Sequence, residues 1–109
     1  MSQKAAVPSR RFNFRIAVMQ DVWVCWQCNG RDDVSRVKDL SLGGLFLETP
    51  TQRAIGTSTK VDFLVGEGQI RADAVVRHVV PGRGLGLKFT ALIDQDRRKF
   101  AALVRRLRS

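Results

Sequence analysis

Val22-Trp23-Val24-Cys25-Trp26-Gln27-Cys28-Asn29-Gly30 carries a complete strand-and-turn signature. Its apolar side chains at Val22, Val24 and Trp26 recur at every second position, the period of a strand that buries one face. Asn29-Gly30 then supplies two residues that tolerate positive φ, as a two-residue hairpin turn requires. The pattern repeats downstream in Val34–Lys38, Gly44–Thr49, Lys60–Val65, Gln69–Val80 and Arg83–Phe89. Gly43-Gly44, Gly66-Glu67-Gly68 and Pro81-Gly82 punctuate these runs. Short strands with one apolar face each bury that face best by curling into a barrel, which also removes exposed edges. The reading is a mainly β chain forming a six-stranded antiparallel β-barrel, its neighbours mostly joined as hairpins.

Beyond Phe89 the period changes. Phe100, Leu103, Val104 and Leu107 recur at helical spacing after Asp94, a residue suited to an N-cap, and arginines fill the last turn. A C-terminal amphipathic helix covering an open end of the barrel is expected, ahead of a helix whose basic face binds a membrane or partner. At the other end, residues 1–9 are small and polar around Pro8, a flexible arm leading into a single domain over residues 10–109.

The chain has 109 residues, 44% of them hydrophobic and 27% charged, which suits one packed domain of the usual size of about 100–150 residues. No apolar run approaches the roughly 20 residues that cross a bilayer, and MSQKAAVPSR lacks the apolar centre of a signal peptide, so a cytoplasmic location is expected. Nineteen basic against ten acidic residues leave a net charge of +9, concentrated at the two ends. A field of that sign draws in phosphates, nucleic acid or acidic protein surfaces without choosing among them.

Two short motifs choose. Arg10-Arg11-Phe12-Asn13-Phe14-Arg15 places Arg11 and Arg15 in an RxxxR pattern just before the first long strand. Asp39-Leu40-Ser41-Leu42-Gly43-Gly44 places Asp39, Ser41 and Gly44 in a DxSxxG pattern at a strand end. In this order, with a hairpin between them, they resemble the PilZ domain, the bacterial receptor module for cyclic di-GMP. The resemblance runs from Arg10 through Gly84-Leu85-Gly86-Leu87-Lys88-Phe89 to the final helix. It implies that Arg11 and Arg15 grip guanine edges and phosphates, that Asp39 and Ser41 contact guanine, and that Gly44 permits close backbone approach. Arg10, just before RxxxR, goes in this family with an intercalated ligand dimer rather than one molecule.

The chemistry of these residue types agrees with that implication. Guanine O6 and N7 are paired acceptors that match the forked donors of arginine, whereas its N1–H and N2–H₂ edge needs an acceptor such as Asp39, shared with Ser41. Arg10 can also stack its flat guanidinium on a base. Arg77 on the strand through Ala74–Val80 is a further ligand-binding candidate, although an ion pair with Asp73 is the expected use of its charge.

Other features read as structure. Cys25-Trp26-Gln27-Cys28 is a CxxC string without a second pair, and His78 lies far along the chain, so neither a metal nor redox work is expected. On a strand, Cys25 and Cys28 face opposite sides, Cys28 inward with Val24 and Trp26. Trp23 and Trp26 suit packing, although an outward Trp23 near the ligand face would offer a base a stacking surface. No Ser/His/Asp or Cys/His set and no phosphate loop is present, so no enzyme and no cofactor is expected.

The expectation is a monomeric receptor module. Cyclic di-GMP orders the N-terminal arm, changes the surface there and signals to an unidentified downstream protein, with no specific DNA or RNA target and no membrane span. The alternatives are a small basic barrel that binds single-stranded nucleic acid, and a barrel of the same family that acts only as a protein adaptor.

Overall fold

The computed structural model describes residues 15–108. Asn29 and Gly30 take φ values of 52° and 76°, as a tight hairpin turn demands, and they join β2 (Trp23–Cys28) to β3 (Arg31–Ser41). The later strands are β4 (Gly44–Glu48), β5 (Ser58–Leu64), β6 (Ile70–Val80) and β7 (Gly84–Leu92), and α1 (Asp94–Arg108) ends the fold. A two-residue β1 (Ile16–Ala17) precedes them all. Pairing runs β3-β2-β5-β6-β7-β4, all antiparallel, and β4 pairs back onto β3, so six strands close a barrel.

β3 extends well past the predicted Val34–Lys38. Its polar Arg31, Asp32 and Asp33 carry no strand pattern, yet their backbones pair with β2 through Cys28↔Arg31, Gln27↔Asp32 and Trp26↔Asp33. Farther on, β3 is flanked by β4 from Arg36 to Ser41 and by β1 through Ile16↔Leu40 and Ala17↔Asp39. Backbone ladders need no apolar side chain, so a strand held on both edges outruns its hydrophobic signature.

The inward phase of β2 is as the alternation predicts. Val22, Val24, Trp26 and Cys28 are buried, Trp26 Nε1 donates to Ser35 Oγ at 2.9 Å, and Cys25 faces the other side, partly exposed. Trp23 is not packed inside: it lies on the outer surface at 42% exposure, opposite Arg36 and Leu64, because it belongs to the outward phase of β2.

α1 covers the core through buried Phe100 and Leu103. Phe100 meets Phe63 and Phe89 with ring centroids 5.9 and 5.6 Å apart, both edge-on. Fully burying each apolar side chain is worth about 1.5–3 kcal/mol, so Phe100 and Leu103 together hold the helix down, and the two-point ion pair of Arg106 with the mostly buried Glu67 adds to them. Polar contacts set its register. Asp94 begins the helix but is exposed, and its carboxylate accepts from Arg97 Nε at 3.1 Å. Asp96 is the buried acid: its Oδ2 accepts the backbone N–H of Arg71 at 2.9 Å and Arg71 Nε at 3.2 Å, tying the first turn of α1 to β6. Lys99 Nζ adds a bond to the Gln69 carbonyl at 3.2 Å.

The Arg71 amide, outweighing the opposing effect of burial, holds the Asp96 carboxyl below the usual carboxylate range, helped by the guanidinium of Arg71 and by Lys99. A carboxyl depressed on folding stabilises the native state above its unfolded pKa of about 3.9 and loses that contribution as pH falls through its lower folded value. Thermal melts between about pH 7 and pH 2 should therefore show the Tm of the parent falling more steeply below about pH 4 than that of Asp96→Asn. Parallel curves would remove Asp96 as the acid-sensitive tie.

Candidate functional site

The turn that joins β3 to β4 is built by Ser41. Its hydroxyl donates to the Gly44 carbonyl at 3.3 Å and accepts the Gly43 N–H at 3.2 Å, while Ser41 and Gly44 pair across the strands. Ser41 is 4% exposed, and its hydroxyl is committed to the turn as well as facing the cleft beside it. Gly44 is tied to the barrel seam. A methyl group there would overlap the Leu87 carbonyl oxygen of β7, so β4 and β7 approach too closely for any side chain at this point.

Asp39 reaches the outer surface through a register shift. Ser35 and Val37 are buried, so strict alternation would carry Asp39 inward as well. The β3–β4 register instead steps from Val37↔Leu47 to Asp39↔Phe46, leaving Lys38 as an extra residue and turning Leu40 into the core. Asp39 then accepts Arg15 Nη1 at 2.6 Å, with the two side chains 28% and 51% exposed. The residue that ends RxxxR and the one that begins DxSxxG, 24 positions apart, are thus in contact. Arg10 and Arg11, and the arm over residues 1–9, lie outside the described residues.

Arg15, Ser41 and Gly43 form one wall of a cleft of about 330 Å³, and Arg77, His78, Gly86, Leu87 and Lys88 form the other. Asp39 borders it through Arg15, and Gly44 through its partner Lys88. The ion pair expected between Arg77 and Asp73 does not form. Asp73 accepts Lys60 Nζ at 3.2 Å on the neighbouring strand, which leaves Arg77 to the cleft. His78 and Lys88 escaped the sequence reading, because the alternation of β6 points His78 inward and nothing in the residues shows the one-residue slip that turns it out. A larger cavity of about 440 Å³, lined by Cys25, Asp62, Arg71, Ala72 and Ile93 among others, holds none of the motif residues. Size alone does not locate the site. Trp23 lines neither cavity.

A closed six-stranded barrel with a capping helix and an arginine-bordered cleft beside the β3–β4 turn defines a small binding module. The sequence model of the PilZ domain matches residues 9–106, and the chain belongs to that family. Its fold is similar to that of K. pneumonia MrkH in its apo state, with a TM-score of 0.72 and 23% identity over 86% of this chain and 49% of that one. The chain thus spans about half the length of MrkH. The PilZ domain of YcgR from Escherichia coli, solved with c-di-GMP, aligns with a TM-score of 0.68 at 18% identity, covering 87% of this chain and 88% of that one. The PilZ domain of CeSA from a cellulose-synthesizing bacterium aligns with a TM-score of 0.67 at 20% identity, covering 89% and 100%. No curated protein matches the sequence.

Because the atoms that crowd Gly44 belong to the backbone of Leu87 and Lys88 and cannot rotate away, Gly44→Ala should destabilise the barrel by about 2 kcal/mol or more. Chemical denaturation of the two proteins measures this directly. A change below about 0.5 kcal/mol would mean that β4 and β7 separate freely.

Proposed function

We propose that this chain is a receptor for cyclic di-GMP. The observation that carries the reading is the meeting of the two motifs: Arg15 and Asp39 touch, and Ser41 lines the cleft beside them. Family membership supports it, as do two similar structures solved with c-di-GMP, the YcgR domain and the K. pneumonia MrkH complex.

In this reading guanine is recognised from both edges. The guanidinium of Arg15 forks onto O6 and N7, and Asp39 with Ser41 accepts from N1–H and N2–H₂. Arg11 completes the grip, Arg10 stacks on a base, and Arg10 favours an intercalated ligand pair over a single molecule. The Arg15–Asp39 bond is no barrier to this. An exposed ion pair is worth about 0–1 kcal/mol, whereas one good bidentate base contact gives about 1–3 kcal/mol, so the ligand outcompetes it. The pair also holds both side chains near the positions from which they would read the base, which lowers the cost of ordering them. Ligand closure over the arm would change the surface near β1 and the β3–β4 turn, and a cytoplasmic protein partner would read that change. The protein acts by binding and carries out no chemistry of its own.

Calorimetric titration with cyclic di-GMP, with GTP and a short oligonucleotide as controls, tests this. Selective binding of the cyclic dinucleotide is expected, at two molecules per chain if the Arg10 inference holds and at one if it does not. Arg15→Ala should weaken it by more than about tenfold, which is 1.4 kcal/mol. Asp39→Asn should also weaken it, because the variant loses the charged acceptor. Simple polyanion attraction would instead be strengthened by removing that negative charge. Tighter binding by Asp39→Asn, or heat only with the oligonucleotide, would overturn the receptor reading.

A further inference from the structure

The second wall of the cleft depends on one extra residue in β6. Inward residues alternate from Ile70 through Ala72 and Ala74 to Val76, so strict alternation would send His78 into the core. The β6–β7 register instead steps from Val76↔Leu87 to His78↔Gly86, which leaves Arg77 unopposed. Arg77 keeps its outward position, the slip turns His78 out beside it, and both exposed residues line the cleft. Gly86 leaves room for this arrangement. A Cβ at that position would stand 3.0 Å from His78 Cβ, so a larger residue would press on the imidazole and intrude on the cleft floor. Lys88 projects from β7 on the same side, paired across the strands with Val75 and Gly44.

This wall is chemically unlike the one it faces. Among the described residues, the one carboxylate bordering the cleft is Asp39, already bonded to Arg15, and no carboxylate partners Arg77 or Lys88. Two cations beside a histidine, with no acid between them, repel one another unless an anion is bound. Such a wall is a poor reader of base edges: Lys88 is a point charge without a fork, and nothing here matches the acceptor that Asp39 offers to N1–H and N2–H₂. It suits phosphate oxygens.

We propose that Arg77, His78 and Lys88 form a phosphodiester subsite that neutralises the ligand backbone, while Arg15, Asp39 and Ser41 read the base. The proposal rests on the cyclic di-GMP reading and divides the work of that one cleft between two walls.

The test is calorimetry with cyclic di-GMP on Arg77→Gln, Lys88→Gln and the double variant, at about 50 mM and about 500 mM salt. Arg97→Gln on α1 serves as the control, since it removes the same charge outside the cleft, where Arg97 is exposed and paired with Asp94. Arg77 and Lys88 are exposed, so the folded barrel should survive, and melting curves check it. Each single variant should bind about three- to tenfold more weakly at low salt, and the double variant more weakly still with a shallower salt dependence. Arg97→Gln should match the parent. Parent-like binding by the double variant, or an equal loss in Arg97→Gln, overturns the subsite and leaves the receptor reading standing. Absence of binding by the parent overturns both.

Discussion

The barrel closes at the seam between β4 and β7, and the cleft exists because that seam is tight. A sheet of six strands becomes a barrel only if its last strands meet, and here they meet so closely that Gly44 has no room for a side chain against the Leu87 carbonyl. Gly84 repeats the condition at the far end of the seam, where a Cβ would collide with the Leu47 carbonyl and the ring of Phe46. Closure places β7 beside the β3–β4 turn, and Gly44 then stands across from Lys88. Without that contact, Ser41 and the basic residues of β6 and β7 would not share a cleft.

Two bulges shape the cleft of the closed barrel. Lys38 on β3 and Arg77 on β6 are each one residue too many for their ladders, and each reverses the phase of the residues after it. The first brings Asp39 out of the inward phase to meet Arg15, and the second brings out His78 beside Arg77. Both lie on strands that border the same cleft. A bulge breaks local pairing in exchange for aiming side chains that regular pleating would bury, and it is tolerated here because both strands stay paired on either side.

The electrostatics show the same division. Most acids on the described surface already hold a cation: Asp21 and Glu48 hold Arg36, Asp73 holds Lys60, and Glu67 holds Arg106. Against that background, Arg77 and Lys88 stand out as cations facing a cleft without a carboxylate partner among the described residues. The net charge of +9 therefore has a local expression. It is set by which bases the fold leaves uncompensated and not by their number.

Much of this was legible in the residues themselves. The two-residue period of Val22–Cys28, the Asn29-Gly30 turn and the change of period after Phe89 determined the strands, the first hairpin and the covering helix, because these depend on neighbours a few positions apart. The order of RxxxR and DxSxxG likewise singled out Arg15, Asp39 and Ser41, which the fold brings to one cleft edge. The full length of β3 and the outward position of Trp23 were harder to see, since ladder bonds ignore side-chain polarity and an aromatic residue fits either face. Tertiary structure alone decided that Asp96 rather than Asp94 anchors the helix, that Asp73 pairs with Lys60 rather than Arg77, and that His78 and Lys88 join the cleft. The reason is common to all three. Each depends on a neighbour distant in the chain: Asp96 meets Arg71 only once α1 packs against β6, Asp73 meets Lys60 only across the β5–β6 ladder, and His78 turns outward only through the slip between β6 and β7.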